Sequence, residues 1–360
     1  MATVLIPGGA GFVGSSLALM WKRDRPGDRV VALDNLMRRG SELAPARLAA
    51  GGVEFLRGDV RRPGDLEAAG DADIVIDCAA EPSVHAGYGG ASAVSPGDLA
   101  AINLGGTLNC LEYARTRGAR FVLLSTSRVY PLRGLRGLPL EEGEERLFLP
   151  AAAAGPGWSE QGITTAFPLD GARTPYGATK LAAEIMTREY ADAFGMTTIV
   201  NRCGVLAGPW QMGKVEQGFV ALWAARFSYG GALAYRGFGG TGKQVRDVLH
   251  VADLHALIGM QLAEPARHAG KVYNVGGGAS NSVSLRELTR LCEEISGRRL
   301  DLGAVAETHT ADIPWYVTDN AEVSAATGWS PARSVPEILE ETFRWLAEHR
   351  EALEPVLNEQ

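Results

Sequence analysis

A tyrosine and a lysine four residues apart are the first residues of this sequence that could do chemistry. Tyr176 and Lys180 lie in the stretch TPYGATKLAAE, which resembles the start of a helix. Residues i and i+4 of a helix share one face, so the two side chains would stand side by side. A neighbouring ammonium lowers the pKa of a phenol from its usual value of about 10. The pair would supply a base near neutral pH; an aromatic packing residue followed by a solvated lysine is the alternative.

Three hydroxyl side chains end the predicted strand RFVLLSTS, namely Ser125, Thr126 and Ser127. Ligands of doubly wound sheets bind beyond the carboxyl ends of the strands. A hydroxyl at this position could bind a substrate hydroxyl and relay its proton to Tyr176. An ordinary strand-end cap is the alternative.

A glycine-rich turn follows the first predicted strand in the segment PGGAGFVG. Gly8, Gly11 and Gly14 would permit a tight turn and allow backbone amides to approach a pyrophosphate. The N-terminus of the following helix would add its partial positive charge. Because the glycines stand between a strand and a helix, the pattern predicts a dinucleotide site more strongly than a close-packed turn.

An acidic residue at the end of the second predicted strand bears on the choice of dinucleotide. Asp34 lies 20 residues after Gly14, where a carboxylate accepts hydrogen bonds from the adenine ribose and repels a 2′-phosphate. This favours NAD over NADP, although Arg38 and Arg39 nearby could accommodate the phosphate. Asp59, after the third strand, is a candidate adenine contact or a solvated loop acid.

The composition excludes several other classes of protein. The chain has 360 residues, 46% hydrophobic and 21% charged, and a net charge of −7, which argues against a nucleic-acid or membrane-surface binder. Its four cysteines are far apart, so no metal ligation or disulfide framework is expected. No secretory leader and no apolar run of about 20 residues is recognised, and we expect a cytoplasmic location.

The elements that must position these residues alternate between short apolar runs and helical patterns. Six runs are typical of buried parallel strands, which predicts an α/β fold, a Rossmann-type doubly wound parallel sheet with a smaller, mixed C-terminal substrate lobe. We expect an NAD-binding domain over residues 1–205, with 247–275 returning to it. Residues 206–246 and 276–360 would form the nucleotide-sugar-binding lobe, and residues 131–174 an irregular surface excursion.

The order of these features resembles the extended short-chain dehydrogenase/reductase family of nucleotide-sugar enzymes, also described as NAD-dependent epimerases and dehydratases. The resemblance covers nearly the whole chain. It implies a catalytic triad of Thr126, Tyr176 and Lys180, and NAD as cofactor. The cofactor contacts that it implies are Gly8, Gly11, Phe12, Val13, Gly14, Asp34, Asn35, Asp59, Val60, Ala79, Ala80, Asn103, Tyr176 and Lys180.

Later segments narrow the resemblance to one branch. GKQVRDVLHVADL, YNVGGGASNSVSLREL and GPWQMGKVEQGFV are similar to segments of the CDP-paratose 2-epimerases, also called CDP-tyvelose epimerases. The branch implies a nucleotide-sugar substrate, with CDP favoured and other nucleotides open, and a homodimer. It places an arginine near the diphosphate, where a guanidinium suits phosphate oxygens. The implied substrate contacts are Ser127, Arg128, Gln211, Gln217, Arg246 and His309.

Departures from the family pattern leave the substrate open. Ser127 and Arg128 stand where dehydratase relatives carry an aspartate and a glutamate, so the proton donor for water loss is missing. His309 replaces an expected arginine and is either a phosphate or sugar contact or a rim residue.

The predicted function is NAD-dependent epimerisation of a nucleotide-linked sugar at carbon 2, through a keto-sugar. A 4-epimerase, a net dehydrogenase or reductase, and a non-catalytic NAD-binding regulator are the alternatives.

Overall fold

The computed structural model describes residues 1–88, 94–213 and 218–358. The strands, in chain order, are β1 Thr3–Pro7, β2 Arg29–Asp34, β3 Glu54–Arg57, β4 Ile74–Asp77, β5 Arg120–Thr126, β6 Glu141–Glu142, β7 Leu147–Phe148, β8 Ala154–Gly155, β9 Trp158–Ser159, β10 Gly162–Ile163, β11 Thr198–Cys203, β12 Val205–Ala207, β13 Ala234–Arg236, β14 Val245–His250, β15 Lys271–Val275, β16 Ser282–Ser284, β17 Gly303–Val305 and β18 Trp315–Tyr316.

The helices follow in the same order. They are α1 Phe12–Asp24, α2 Ala44–Ala50, α3 Pro63–Glu67, α4 Pro96–Ala100, α5 Gly106–Arg117, α6 Leu132–Arg136, α7 Pro175–Phe194, α8 Phe219–Tyr229, α9 Val251–Ala263, α10 Pro265–His268, α11 Leu285–Ser296, α12 Ala321–Thr327, α13 Val335–Glu348 and α14 Arg350–Asn358. A π-helical turn, Ala101–Gly105, joins α4 to α5, and a 3-10 turn, Ser127–Val129, follows β5.

The main sheet has seven strands in the order β15, β11, β5, β4, β1, β2, β3. β1 pairs in parallel with both β2 and β4, β2 pairs with β3, and β4 pairs with β5. All six predicted strands are present, and β15 is the seventh. The central residues Val4, Leu5 and Ile6 are fully buried, which is why such strands have continuous apolar sequences. The prediction of a Rossmann-type α/β fold is confirmed.

The first of two compact units consists of Met1–Val129, Pro175–Arg202 and Leu254–Tyr273. Its core joins the sheet to the helices on its face, with Leu5, Val31 and Phe121 from strands, Leu111 from α5 and Ala183 from α7. The packing of α5 and α7 on the strands fixes both helices relative to the carboxyl ends of β4 and β5. The end of β5 carries the predicted catalytic hydroxyls.

The second unit consists of Tyr130–Thr174, Cys203–Asp253 and Asn274–Gln360. Its sheet is β12-β14-β16, with β18 also paired to β14. The C-terminal third contains α11 and α13, each of which begins with a capping box, Ser284 with Glu287 and Ser334 with Glu337. The predicted boundaries between an NAD-binding domain and a nucleotide-sugar-binding lobe stay a prediction.

The excursion after Tyr130 contains short strands that are bonded to the rest of the second unit. The β6–β7 hairpin is fastened by the amide of Leu147, which donates to the carbonyl of Lys243, and by a 2.8 Å ion pair between Lys243 and Glu142. Further along the excursion, the backbone amide of Ile163 in β10 donates to the carbonyl of Val317 at 2.8 Å. The segment is irregular as predicted, but it is held at several points along its length.

Candidate active site

The turn between β1 and α1 has no room for a side chain at two of its glycines, Gly8 and Gly14. Gly8 has φ = 74°, and a Cβ there would lie 2.7 Å from the carbonyl oxygen of Cys78. A Cβ on Gly14 would lie 2.2 Å from the carbonyl oxygen of Gly8. Gly11 is the N-cap residue of α1, and it has no side chain with which to cap the amides of the first turn. The turn therefore offers backbone donors at a helix N-terminus, which is an arrangement that binds phosphate groups.

The carboxylate of Asp34 lies next to this turn, at the end of β2. Its oxygens accept hydrogen bonds from the amides of Ala10, at 3.1 Å, and Leu36, at 2.8 Å. Burial raises the pKa of Asp34, while these backbone hydrogen bonds act in the opposite direction. The glycine turn and Asp34, which the sequence analysis assigns to one dinucleotide site, are therefore in direct contact.

Asp59, the predicted adenine contact, is already bound to neighbouring side chains. Arg61 donates to both of its carboxylate oxygens, at 2.9 and 2.6 Å, and Asn35 donates to Oδ2 at 3.0 Å. The hydrogen bonds from Arg61 hold the pKa of Asp59 well below its usual range. Val60, the next residue, accepts a 2.8 Å hydrogen bond from Asn109 of α5 through its carbonyl. The adenine contact stays a prediction.

Asn103 is fully buried in the π-helical turn and connects two segments of the candidate site. Its Oδ1 accepts from the amide of Glu81 at 2.8 Å, and its Nδ2 donates to the carbonyl of Glu81 at 3.2 Å. The same Nδ2 donates to the hydroxyl of Thr179 at 3.1 Å, and Thr179 donates to the carbonyl of Tyr176. Asn103 therefore fixes the loop that follows β4, with Ala79 and Ala80, to the first turns of α7.

Tyr176 and Lys180 lie on α7, which begins at Pro175, one residue before the tyrosine. Proline is tolerated at this first position because its missing N–H has no partner within the helix. Tyr176 is 8% exposed and Lys180 2% exposed, so neither is a solvated surface residue. Helical geometry puts them on one face, as the spacing predicts. α7 packs against β5 and the 3-10 turn, and so faces the strand that carries Thr126.

Thr126 is the last residue of β5 and is 9% exposed. Its Oγ1 accepts a hydrogen bond from the amide of Arg128 at 3.1 Å, across the 3-10 turn. This bond occupies a lone pair of the oxygen and leaves the hydroxyl proton available for another acceptor. Ser127 and Arg128 are both half-buried in the turn itself.

Three of the other predicted substrate contacts, Gln211, Arg246 and His309, lie in the second unit. Arg246 of β14 donates to the carbonyls of Val245 and Ile313, each at 2.7 Å. His309, which is exposed, accepts a hydrogen bond on Nδ1 from the amide of Ala311 at 3.0 Å. Arg136, from α6, donates to the carbonyls of His309, Thr310 and Asp312. Two guanidinium groups thus hold residues 309–313.

Gln211 is fastened through its side-chain amide, which donates to the carbonyl of Leu206 at 2.7 Å. In the part of the chain that the structure describes, its buried Oε1 has no hydrogen-bond partner. Gln217 lies outside the described residues. The substrate roles of all these residues stay predictions.

Residues 4–276 match the model of the NAD dependent epimerase/dehydratase family. The chain belongs to this family. The match covers the glycine turn, Asp34, Asn103, the β5 hydroxyls and α7, and the resemblance inferred from the sequence is confirmed.

Curated relatives of different activity align along almost the full chain. CDP-paratose 2-epimerase of Salmonella typhi is 29% identical over 351 residues, covering 95% of this chain and 98% of that protein. dTDP-glucose 4,6-dehydratase of Streptomyces griseus is 30% identical over 365 residues, covering 98% and 97%. The solved structure of DesIV, a dTDP-glucose 4,6-dehydratase from Streptomyces venezuelae with NAD and TYD bound, covers 98% of this chain and 99% of its own, with 27% identity and a TM-score of 0.77.

The cofactor of this epimerase/dehydratase chain is NAD, as the sequence predicts. The residues of the first unit fit it. The turn at Gly8 and Gly14 admits no side chain, the amides after Gly11 are suited to a pyrophosphate, and the Asp34 carboxylate is suited to ribose hydroxyls. When bound, NAD supplies a carbon centre that accepts and returns hydride.

Two groups of buried polar residues near the site were missed by the sequence analysis. Glu184 of α7 binds Arg202 of β11 and the hydroxyl of Ser125, which is adjacent to Thr126. Asp77 ends β4, is 1% exposed and accepts hydrogen bonds from Thr107 and Ala79. Glu184 could have been recognised as the residue four positions after Lys180, on the same helix face. Asp77 could have been recognised as an acid at a strand end.

Two further searches covered only the described residues. None of their helices combines the length and the apolar character that crossing a membrane requires. No cluster of three or more histidine, cysteine, aspartate or glutamate side chains suited to a metal ion occurs among them.

Proposed function

We propose that this protein is an NAD-dependent epimerase that inverts carbon 2 of a nucleotide-linked sugar, with a CDP-sugar as the favoured substrate. The observation that carries the proposal is the arrangement of Tyr176 and Lys180, buried on one face of α7 and packed against the strand that ends in Thr126. The near full-length similarity to a CDP-paratose 2-epimerase supports the choice of carbon and nucleotide.

The chain's own residues move the proton. Tyr176, as phenolate, removes the proton of the sugar hydroxyl, and Thr126 binds that hydroxyl and relays its proton. Oxidation at carbon 2 gives a keto-sugar, which presents its other face before it is reduced again. Tyr176 then returns the proton to the new hydroxyl. Lys180 keeps the pKa of the phenol low and would bind the nicotinamide ribose. No external reductant is needed, because the hydride removed from carbon 2 is returned to the same carbon.

Dehydration, the activity named for several relatives, is the main competing reaction. Loss of water from a keto-sugar requires a group that protonates the departing hydroxyl. The 3-10 turn after Thr126 presents a hydroxyl at Ser127 and a guanidinium at Arg128, and a guanidinium does not release its proton near neutral pH. A carboxylic acid at this turn would favour the dehydratase. Its replacement by arginine favours epimerisation.

The experiment combines product analysis with a variant of the proposed base. Purified protein is incubated with a panel of CDP-, UDP- and dTDP-sugars, and epimers, dehydrated sugars and net change in cofactor are measured by NMR and absorbance. We expect an epimer at carbon 2, no dehydrated product and no net redox change. A 4-epimer, or stoichiometric oxidation or reduction of the cofactor, would establish one of the alternative reactions instead.

Tyr176→Phe tests the assignment of the base. Loss of general base catalysis is expected to lower kcat by roughly 100-fold or more. Tyr113→Phe is a matched control, since it removes a buried phenol hydroxyl that donates to the carbonyl of Gly70. The control should turn over at close to the wild-type rate. Full turnover by Tyr176→Phe would remove Tyr176 from the mechanism.

The homodimer implied by the family resemblance is proposed to form through α7. Ile185 and Phe194 on this helix are 50% and 54% exposed. Large exposed apolar side chains are suited to contact with a second copy of the chain. Light scattering should give twice the mass of the chain, and replacing both residues with glutamate should halve it. A monomeric wild type would contradict this proposal.

A further inference from the structure

Four linked residues join the loop after β2 to the loop after β3, at the carboxyl ends of these strands. Asn35 and Met37 belong to the first loop, and Asp59 and Arg61 belong to the second. The centre of this Asp59 network is the Asp59 carboxylate, and Asp59 is only 8% exposed. Asp34, whose carboxylate suits the adenine ribose, ends β2 directly before Asn35. The network therefore lies at the adenosine end of the candidate NAD site.

The Asp59 carboxylate accepts four hydrogen bonds within the network. Its Oδ1 accepts from the backbone amide and from Nε of Arg61, both at 2.9 Å. Its Oδ2 accepts from Nη2 of Arg61 at 2.6 Å and from Nδ2 of Asn35 at 3.0 Å. An ionised carboxylate offers about four lone pairs, two on each oxygen, so each of them already has a donor. The amino group of adenine would be a fifth donor.

The rest of the network holds side chains of the two loops against each other. Asn35 uses both halves of its amide, since its Oδ1 also accepts the backbone amide of Met37 at 3.0 Å. Nη2 of Arg61 lies 3.8 Å from the sulfur of Met37. Met37 is 71% exposed and the side chain of Arg61 is 34% exposed, so a thioether and a guanidinium face solvent. Both groups are suited to contact with the face of an aromatic base.

We propose that Asp59 is a positioning residue of the cofactor site, which holds Arg61 and Asn35 in place and does not bind the amino group of adenine. The base is then bound through its faces, by the groups that the network positions. Stacking of this kind depends little on which base is present. The protein should therefore accept a dinucleotide in which hypoxanthine replaces adenine. The inference rests on NAD as the cofactor and not on the epimerase reaction.

Competition between two dinucleotides tests the proposal without turnover. Purified protein is incubated with an equal excess of isotope-labelled NAD and of nicotinamide hypoxanthine dinucleotide. When the bound ratio is constant, the protein is denatured and the newly bound molecules are counted by mass spectrometry. A hydrogen bond from the amino group to a carboxylate would favour NAD by roughly 10-fold or more. We expect a preference smaller than this, and a preference of that size would overturn the proposal.

Asp59→Asn separates positioning from direct contact. It weakens the network, so both dinucleotides should bind less tightly and their ratio should stay that of wild type. If Asp59→Asn weakened the binding of NAD alone, the carboxylate would be a direct contact of the amino group and the proposal would fail.

Glu54→Gln is the matched control. It removes the charge of Glu54 from an exposed 2.8 Å ion pair with Arg29, which joins the same two strands at their amino ends. It should leave the binding of both dinucleotides unchanged. Equal weakening by Glu54→Gln and Asp59→Asn would contradict a positioning role that is specific to the Asp59 network.

Discussion

The ion pair between Glu184 and Arg202 provides a sharp test of how the catalytic helix is held. Arg202 Nε donates to both oxygens of Glu184, at 3.1 and 3.0 Å, and Nη2 donates to Oε2 at 2.8 Å. The side chains are only 6% and 2% exposed. Ser125 of β5 donates to the same carboxylate, so the pair joins α7 to two strands of the sheet.

Glu184→Gln would remove the carboxylate charge that faces the buried guanidinium of Arg202 and replace one of the two acceptor oxygens with an amide donor. Removing one partner of a buried pair costs about 3 to 5 kcal/mol. For an m-value of roughly 2 to 3 kcal/mol/M, the urea midpoint of the transition that unfolds the first unit should fall by about 1 to 2.5 M. Since α7 carries Tyr176 and Lys180, kcat should fall as well.

The assay is urea unfolding followed by circular dichroism and by tryptophan fluorescence. Replacing both partners, as Glu184→Leu with Arg202→Met, removes the unpaired charge and should recover most of the lost stability. Ser125→Ala removes one hydrogen bond to this carboxylate and should cost less, about 1.5 to 3 kcal/mol. The reasoning is refuted if Glu184→Gln unfolds within about 1 kcal/mol of wild type, or if the double variant is no more stable than the single one.

Two further predictions concern the cofactor and acid stability. Gly8→Ala, which forces a Cβ to within 2.7 Å of the carbonyl oxygen of Cys78 at a positive φ, should abolish NAD retention measured on the purified protein, and full retention would contradict the closed-turn argument. Hydrogen bonds from Arg23 and then His255 lower the pKa of Asp24 from 3.8 to about 2, so its contribution to stability is complete above about pH 4 and is lost as the pH falls towards 2. Asp24→Asn should therefore lose less stability than wild type in urea titrations between those pH values, and an equal loss would contradict the assignment.

The elements that carry the site could be predicted because their signals are local. β1, β2, β4 and β5 are buried on both faces, and their sequences are continuous apolar runs for that reason. The glycine turn could be predicted because a residue with a Cβ does not fit at Gly8 or Gly14. The spacing of Tyr176 and Lys180 depends only on helical periodicity, and α7 begins where Pro175 permits it.

What could not be predicted depends on contacts between distant parts of the chain. Asn103 binds Thr179, 76 residues away, and nothing near either residue signals the contact. Arg61 donates hydrogen bonds to both oxygens of Asp59, and this contact depends on the conformation of the loop that holds the two residues. The hydrogen bond between β10 and Val317 likewise joins residues that are far apart in the chain. The sequence therefore predicts that residues 131–174 form an irregular segment, but it does not predict the hydrogen bonds that hold this segment in place.

The most direct test of the central claim is to denature the purified protein and identify the released small molecules by mass spectrometry. A self-recycling epimerase needs NAD only as a resident cofactor. We therefore expect nearly one NAD per chain, turnover of a nucleotide-sugar without added cofactor, and a nucleotide or nucleotide-sugar among the released molecules if substrate is retained. Protein that is purified empty, and that acts only when cofactor is added and consumed, would contradict the claim and establish a net dehydrogenase or reductase.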